Sequence, residues 1–278
     1  MSTLLRSLNT PEPPQITIPE AVTRKTRFPI VILVDASAST NFDAIQQSEG
    51  GPNADIHRIN SALSKLVNLL RTPPPGPLLD NRDAIDVCII SYSSDMRVEL
   101  PWTPAPDLQS MFPPIVPRNA TDTGEAILYS IDYALKHYRN LTGRNISCGM
   151  PHIFHITDGV PTDMHPGSPL WVEVQSMLGR MASTTNPEKR YLALKNIVTA
   201  NGCDPNAPGV MEVNGQRLTG LEVMKQLAAG SHTYELANTE DAFHDLIGLF
   251  TVLITNVTQL LRPGAAEQQF SSDNIEEH

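Results

Sequence analysis

Three short segments carry oxygen-bearing side chains at spacings that suit a hard cation. Asp35-Ala-Ser37-Ala-Ser39 directly follows an apolar run over residues 28–34. In a loop leaving a strand, alternate positions turn one carboxylate and two hydroxyls toward a common point. Oxygen donors of that kind suit Mg²⁺, Mn²⁺ or Ca²⁺ and do not suit Zn²⁺ or copper. Alone the pattern is weak, since average residue usage yields it in about one chain in ten of this length. It reads equally as a polar loop capping the next helix. Asn119-Ala-Thr121-Asp-Thr123-Gly124-Glu125 then sets a hydroxyl just before a helix, and Ile156-Thr-Asp158-Gly159-Val-Pro161-Thr-Asp163 sets a carboxylate at the end of another apolar run. Asp163 and Glu125 are candidate neighbours of the site, carboxylates suited to holding waters or hydroxyls around it. Glu125 also suits a helix start, where the macrodipole favours a negative charge.

These segments need strands to hold them. Residues 28–34 form a near-continuous apolar run, as in a central parallel strand buried on both faces. Ile56, Ile59, Leu63, Leu66 and Leu70 follow at helical spacing. A second strand is expected over residues 84–91 and a third over 96–100, joined by a short polar turn that makes this pair antiparallel. Asp122 or Thr123 can cap a helix whose face is Ile127, Ile131, Ala134 and Tyr138. A fourth strand over 152–156 runs into Thr157-Asp158-Gly159, a helix spans 170–181 and a fifth strand spans 192–199. An insertion at about 203–220 carries Asn214-Gly215 at a hairpin position. A short helix over 221–229, an edge strand over 232–236 and a closing helix over about 239–261 complete the order. Such alternation predicts a doubly wound, Rossmann-like α/β fold: a mostly parallel six-stranded sheet, one antiparallel strand near its edge, helices on both faces. In that arrangement ligands bind beyond the carboxyl ends of the strands, where the winding direction reverses. If the first and fourth strands are neighbours there, Asp35 and Asp158 face one crevice. The expected organisation is an N-terminal arm (1–26), one domain (27–262) and a flexible tail (263–278).

Asp-x-Ser-x-Ser, then Thr-x-Thr-Gly, then Thr-Asp-Gly resembles the metal-ion-dependent adhesion site of von Willebrand factor type A (VWA) domains, over roughly residues 27–262. The resemblance implies that Asp35, Ser37, Ser39, Thr121 and Asp158 hold the metal. The three hydroxyls would ligate directly and the carboxylates directly or through water. It implies Mg²⁺, Mn²⁺ or Ca²⁺ as cofactor and a protein partner that supplies an acidic side chain as the last ligand. The Thr-Asp-Gly-x-Pro-Thr-Asp form is similar to that of an intracellular bacterial branch associated with tellurite resistance. That branch implies an adaptor in a stress-response or signalling complex, beside a kinase, phosphatase or ATPase. Two features depart from the family. Ala38 stands where glycine is usual and disfavours positive φ, and residues 41–54 are longer and more polar than the compact turn common there.

Composition narrows the classes. The chain has 278 residues and a formal net charge of -10. An acidic surface repels phosphate backbones and anionic lipids, which argues against nucleic acid and membrane as partners. No apolar run approaches the roughly 20 residues that span a bilayer. The first residues lack a secretory pattern, and Cys88, Cys148 and Cys203 are widely spaced, so the cytoplasm is expected. Cys148, His152 and His155 have spacing that suggests a second metal site, but on a strand His152 and His155 point to opposite faces. His137 and Tyr138 read as surface and packing residues. The motif segments contain no cysteine and no reactive lysine, so a binding module is expected and not an enzyme. The alternatives are an Mg²⁺-dependent hydrolase or phosphatase with Asp35 as nucleophile, and a structural subunit with no metal.

Overall fold

The apolar run that ends at Asp35 becomes β1 (Phe28–Asp35), buried along its whole length. The computed structural model describes residues 10–16, 26–43, 48–49, 51, 54–149, 151–182, 194–204, 211–213, 215–227 and 232–235. The expected closing helix and the tail at 263–278 lie outside these residues. After β1 a single 3-10 turn, Ala38–Asn41, carries Ser39. Two-residue strands β2 (Phe42–Asp43) and β3 (Ser48–Glu49) pair antiparallel within the polar extension.

Helix α1 (Asp55–Arg71) buries Ile56, Ile59, Leu63, Leu66 and Leu70. It is followed by α2 (Pro77–Asn81), β4 (Ile85–Tyr92) and β5 (Met96–Pro104). Helix α3 (Thr123–Gly143) leads into β6 (His152–Thr157), α4 (Pro169–Ala182), β7 (Leu194–Val198) and the short α5 (Ala200–Cys203). The expected finger is a hairpin of β8 (Met211–Val213) and β9 (Gln216–Leu218), turning at Gly215 with φ +77°. Helix α6 (Gly220–Leu227) and strand β10 (His232–Glu235) follow.

The main sheet has six strands in the order β10-β7-β6-β1-β4-β5. All pairs are parallel except β4 with β5, as the short turn between them requires. β1 has β6 on one side and β4 on the other, so the winding reverses beside β1 and ligand-binding geometry is expected at its carboxyl end. Two apolar layers cover the sheet. Ile30, Ile32, Val34, Val87, Ile89, Phe154 and Ile156 form one layer with α1. Val31, Leu33, Cys88, Ile90, Ile153 and Leu194 form the other with α3, α4 and α6. Each fully buried Leu or Ile contributes about 1.5–3 kcal/mol, enough to fix the register that the site depends on. β5 forms one margin of the sheet; its pairing is broken by irregularities opposite Val87–Ile89 and Ile89–Ile90, and it carries Arg97, Glu99, Pro101 and Pro104.

The described part of the arm lies on α3. Thr10 donates to Asp132, and the Lys136 ammonium donates to the Thr10 carbonyl at 2.9 Å. At the amino end of the strands, Arg27 and Asp86 form a wholly buried ion pair. The Arg27 guanidinium also donates to the Asp83 carbonyl at 2.6 Å. His137, expected at the surface, is instead fully buried. Its Nε2 lies 3.1 Å from the Asp86 carboxylate, and its ring stacks on Trp102 with centroids 4.2 Å apart. The reason is geometric: His137 lies three residues from Ala134, on the sheet-facing side of the helix. No helix of the described residues is long and apolar enough to cross a membrane.

Candidate metal centre

The parallel register sets the ends of β1, β4 and β6 side by side. Asp35 is paired with Tyr92 across β1 and β4, and Val34 with Ile156 across β1 and β6. Asp35 and Asp158 therefore emerge at one end of two neighbouring strands, as the motif order implies. Although a strand end commonly meets solvent, Asp35 is 0% exposed, against 5% for Asp158. The loop after β1 folds back over it, and the ends of β4 and β6 close its sides.

Each oxygen of Asp35 has donors. The Ser37 N–H donates to Oδ1 at 2.9 Å, a turn closed two residues on. The Thr157 hydroxyl donates to Oδ2 at 2.9 Å while accepting the Gly159 N–H at 2.8 Å. The Tyr92 hydroxyl reaches Oδ2 at 3.3 Å. Ser37 and Ser39 place their hydroxyls 2.9 Å apart, and the Ser39 hydroxyl in turn donates to Asp158. Asp158 also accepts the Val160 N–H at 3.3 Å. Asp35, Ser37, Ser39 and Asp158 thus form one continuous polar chain.

Thr121 enters from the segment before α3. Its backbone is clamped to Thr162 by two hydrogen bonds, Thr121 N to the Thr162 hydroxyl at 3.0 Å and Thr162 N to the Thr121 carbonyl at 2.8 Å. The same segment is tied to the loop after β1, Arg118 N donating to the Ala36 carbonyl and Ala38 N to the Asn119 carbonyl. Ala38 thus takes its place through a backbone bond, without the positive φ a glycine would allow. Thr121 is 5% exposed, and its hydroxyl makes no hydrogen bond to another described residue.

Asp163 does its holding at the helix start: its carboxylate accepts the N–H groups of Gly124 and Glu125 at 3.1 and 3.0 Å. Asp122 occupies the cap position of α3 without a side-chain cap bond. The cap comes from a loop some forty residues later in the chain, and it fixes Thr121 and Thr123 relative to Asp158. Glu125 sits in the first turn of α3, where its charge suits the macrodipole.

The electrostatics of the pair are unusual. Burial first, and then the charge of Asp158, pushes Asp35 up to about 7. Burial also raises Asp158, against the pull of the Ser39 hydroxyl and the Val160 N–H. Among the described residues neither carboxylate has a salt-bridge partner. Two buried acids without a positive neighbour are costly when both are ionised. The donor set around them is all oxygen and suits a hard divalent cation. No three His, Cys, Asp or Glu side chains gather into a metal-binding group among the described residues, so Cys148, His152 and His155 make no second site.

Backbone packing pins Asp158 from below. A Cβ at Gly220 would lie 1.8 Å from the Asp158 carbonyl oxygen, and one at Gly202 would lie 2.0 Å from it. Only glycine lets α5 and the start of α6 approach this closely. Sequence reasoning missed these contacts and the inner partners Tyr92, Thr157, His155 and Asn196. Tyr92 had a usable signal, a polar group ending an apolar strand opposite Asp35.

No protein-family model matches the chain, and no curated protein matches it in sequence. Solved structures do resemble it. The PilB minor pilin from Streptococcus sanguinis is 12% identical with a TM-score of 0.52, the match covering 87% of this chain and 64% of the pilin chain. The pilus adhesin SpaC from Lactobacillus rhamnosus GG is also 12% identical with a TM-score of 0.52, covering 84% of this chain and 31% of SpaC. The chain thus spans less than two thirds of either protein. At this identity the likeness is one of fold, an open, mostly parallel α/β sheet.

Proposed function

We propose that the chain is a VWA-type protein-binding module whose strand-end site holds a divalent cation, Mg²⁺, Mn²⁺ or Ca²⁺, and grips an acidic side chain of a partner. The observation that carries this reading is the pair of buried carboxylates, Asp35 and Asp158, without a positive neighbour among the described residues. Asp35, Ser37, Ser39, Thr121 and Asp158 would hold the cation. When bound, it supplies a Lewis-acidic centre able to accept one more oxygen ligand, here a carboxylate of another protein. The chain's own residues orient the donors. Ser37 N–H and Thr157 fix the plane of Asp35, Gly202 and Gly220 fix the backbone of Asp158, and the Thr162 clamp fixes Thr121.

Binding fits the site better than turnover. Asp35 as a nucleophile would have to reach a substrate, and it is fully covered. His155, the histidine hydrogen-bonded into this cluster, has both ring nitrogens engaged and is held neutral by burial down to about 4. It is therefore poorly placed as a general base. The three cysteines are free thiols, which supports a reducing compartment such as the cytoplasm. The Thr157-Asp158-Gly159 segment and its continuation to Asp163 support placing the module in a bacterial stress-response or signalling assembly.

Calorimetric titration with Mg²⁺ tests the reading directly. Wild type is expected to bind in the micromolar-to-millimolar range that few-carboxylate sites allow, and Asp35→Ala to lose binding. Partner capture from native lysate should then fail in EDTA and return with Mg²⁺, except for Asp35→Ala. Equal Mg²⁺ binding by wild type and Asp35→Ala would sink the proposal.

A further inference from the structure

Directly behind the site, a row of polar side chains crosses a largely apolar stretch of one face of the sheet. Tyr92 on β4, His155 on β6 and Asn196 on β7 lie among Leu33, Ile90, Ile153, Leu194 and Val198, and all three are fully buried. Tyr92 Oη is 2.8 Å from His155 Nε2, and His155 Nδ1 is 2.9 Å from the Asn196 side-chain oxygen. The other end of the row is Asp35, whose Oδ2 lies 3.3 Å from Tyr92 Oη. Leucine or phenylalanine at these positions would pack the same layer without burying polar groups, so packing alone does not explain the row.

Counting protons gives the row a direction. Tyr92 has one hydroxyl proton, and a neutral imidazole has one N–H. If Tyr92 donates to Asp35, its oxygen must accept from His155 Nε2–H, which leaves His155 Nδ1 an acceptor. The atom of Asn196 facing that nitrogen must then be the amide NH₂. The Asn196 Nδ2 is buried with no hydrogen-bond partner among the described residues. Turning the carboxamide by half a revolution, which leaves its shape unchanged, places that orphaned NH₂ on His155 Nδ1. The carbonyl oxygen takes the unpartnered position instead, which is a lesser cost than an orphaned N–H, and every donor points the same way: Asn196 to His155, His155 to Tyr92, Tyr92 to Asp35.

We infer that Asn196, His155 and Tyr92 form a positioning string that aims successive donors at Asp35 Oδ2 and holds its carboxylate in the orientation that receives the cation. This rests on the reading of the strand-end site as a cation site. Residues behind the ligands of metal sites act in this way, and their loss typically weakens metal binding 10- to 100-fold. Tyr92 stands directly on Asp35, while His155 and Asn196 act through it.

The test is Mg²⁺ calorimetry on purified wild type, Tyr92→Phe, Asn196→Leu, the double variant and Asp35→Ala, with unfolding midpoints measured alongside. Tyr92→Phe keeps the ring and removes only the hydroxyl. It should weaken Mg²⁺ binding about tenfold, and Asn196→Leu by a smaller factor. The double variant should match Tyr92→Phe, because both changes break one string and their effects do not multiply. NMR of the His155 ring nitrogens in Mg²⁺-loaded wild type, which needs no variant to fold, should find the proton on Nε2. Wild-type affinity in Tyr92→Phe, multiplying losses in the double variant, or a proton on Nδ1 would overturn the string while leaving the cation site standing. Unchanged Mg²⁺ binding in Asp35→Ala would overturn both.

Discussion

The two ends of the sheet treat a buried carboxylate in opposite ways. At the amino end, Asp86 is wholly buried and fully compensated: Arg27 pairs with it and His137 bonds it. At the carboxyl end, Asp35 is equally buried, lies near Asp158, and among the described residues has only neutral donors around it. The same sheet, only a few residues along the same strands, builds a closed charge cluster at one end and leaves an open one at the other. The contrast teaches that the missing positive charge is local to the site and is not a property of the core. The amino end locks strands together; at the carboxyl end none of the described residues supplies the balancing charge.

Removing the internal cation should have the largest effect. Arg27→Met leaves the Asp86 carboxylate buried without its guanidinium partner, and breaking a buried pair from one side costs about 3–5 kcal/mol. Urea unfolding should register that loss, with no recovery on adding Mg²⁺. Recovery by Mg²⁺ would erase the distinction between the two ends.

The second effect is a pH dependence at the other end. The folded pKa of Asp35, about 7, lies above its ordinary value of 3.8. The folded protein therefore holds an extra proton between about 4 and about 7, and metal-free stability falls as pH rises through that window. His152 and His155, pushed down to about 4 by burial, act with the opposite sign over about 4 to 6.5. The quantity to measure is thus the difference between wild type and Asp35→Asn. The variant should gain on wild type as pH rises, by no more than about 4 kcal/mol above pH 7. A difference flat with pH would mean that Asp35 stays ionised without a cation.

A smaller effect is expected where backbone meets backbone. Gly220→Ala forces a methyl against the Asp158 carbonyl, so the chain must shift, at about 1–3 kcal/mol. Thermal unfolding should also show a reduced gain from Mg²⁺, because Asp158 moves with its backbone. The smallest change is Asp163→Ala, which removes the cap of α3 at about 1 kcal/mol. If it weakens Mg²⁺ binding as strongly as Asp35→Ala, Asp163 belongs to the site and not only to the helix.

What the sequence made legible was local or periodic. The buried strands announced themselves as apolar runs, α1 by its spacing of Ile and Leu, the antiparallel strand by its short turn, and the candidate site by two strand-end motifs and one at a helix start. What it hid depends on partners far apart in the chain. Arg27 and Asp86 are 59 residues apart, and nothing near either announces the other. Asp163 caps a helix 39 residues earlier, against the usual reading of a cap as the residue before the helix. The burial of Asp35 also escaped, because strand ends usually meet solvent and here neighbouring strands end in Tyr92 and Thr157, which cover it.

The margin of the sheet at β5 has a consequence for how the chain behaves in a crowded solution. An open sheet edge is a template on which a further strand can add, the first step toward aggregates or domain swapping. β5 blunts that template in three ways: two irregularities in its pairing with β4, the charged side chains of Arg97 and Glu99, and prolines at 101 and 104, which have no N–H to offer. An incoming strand finds a bent, charged and donor-poor rail. Self-association by strand addition is therefore discouraged on this side, where a flat, apolar edge would promote it.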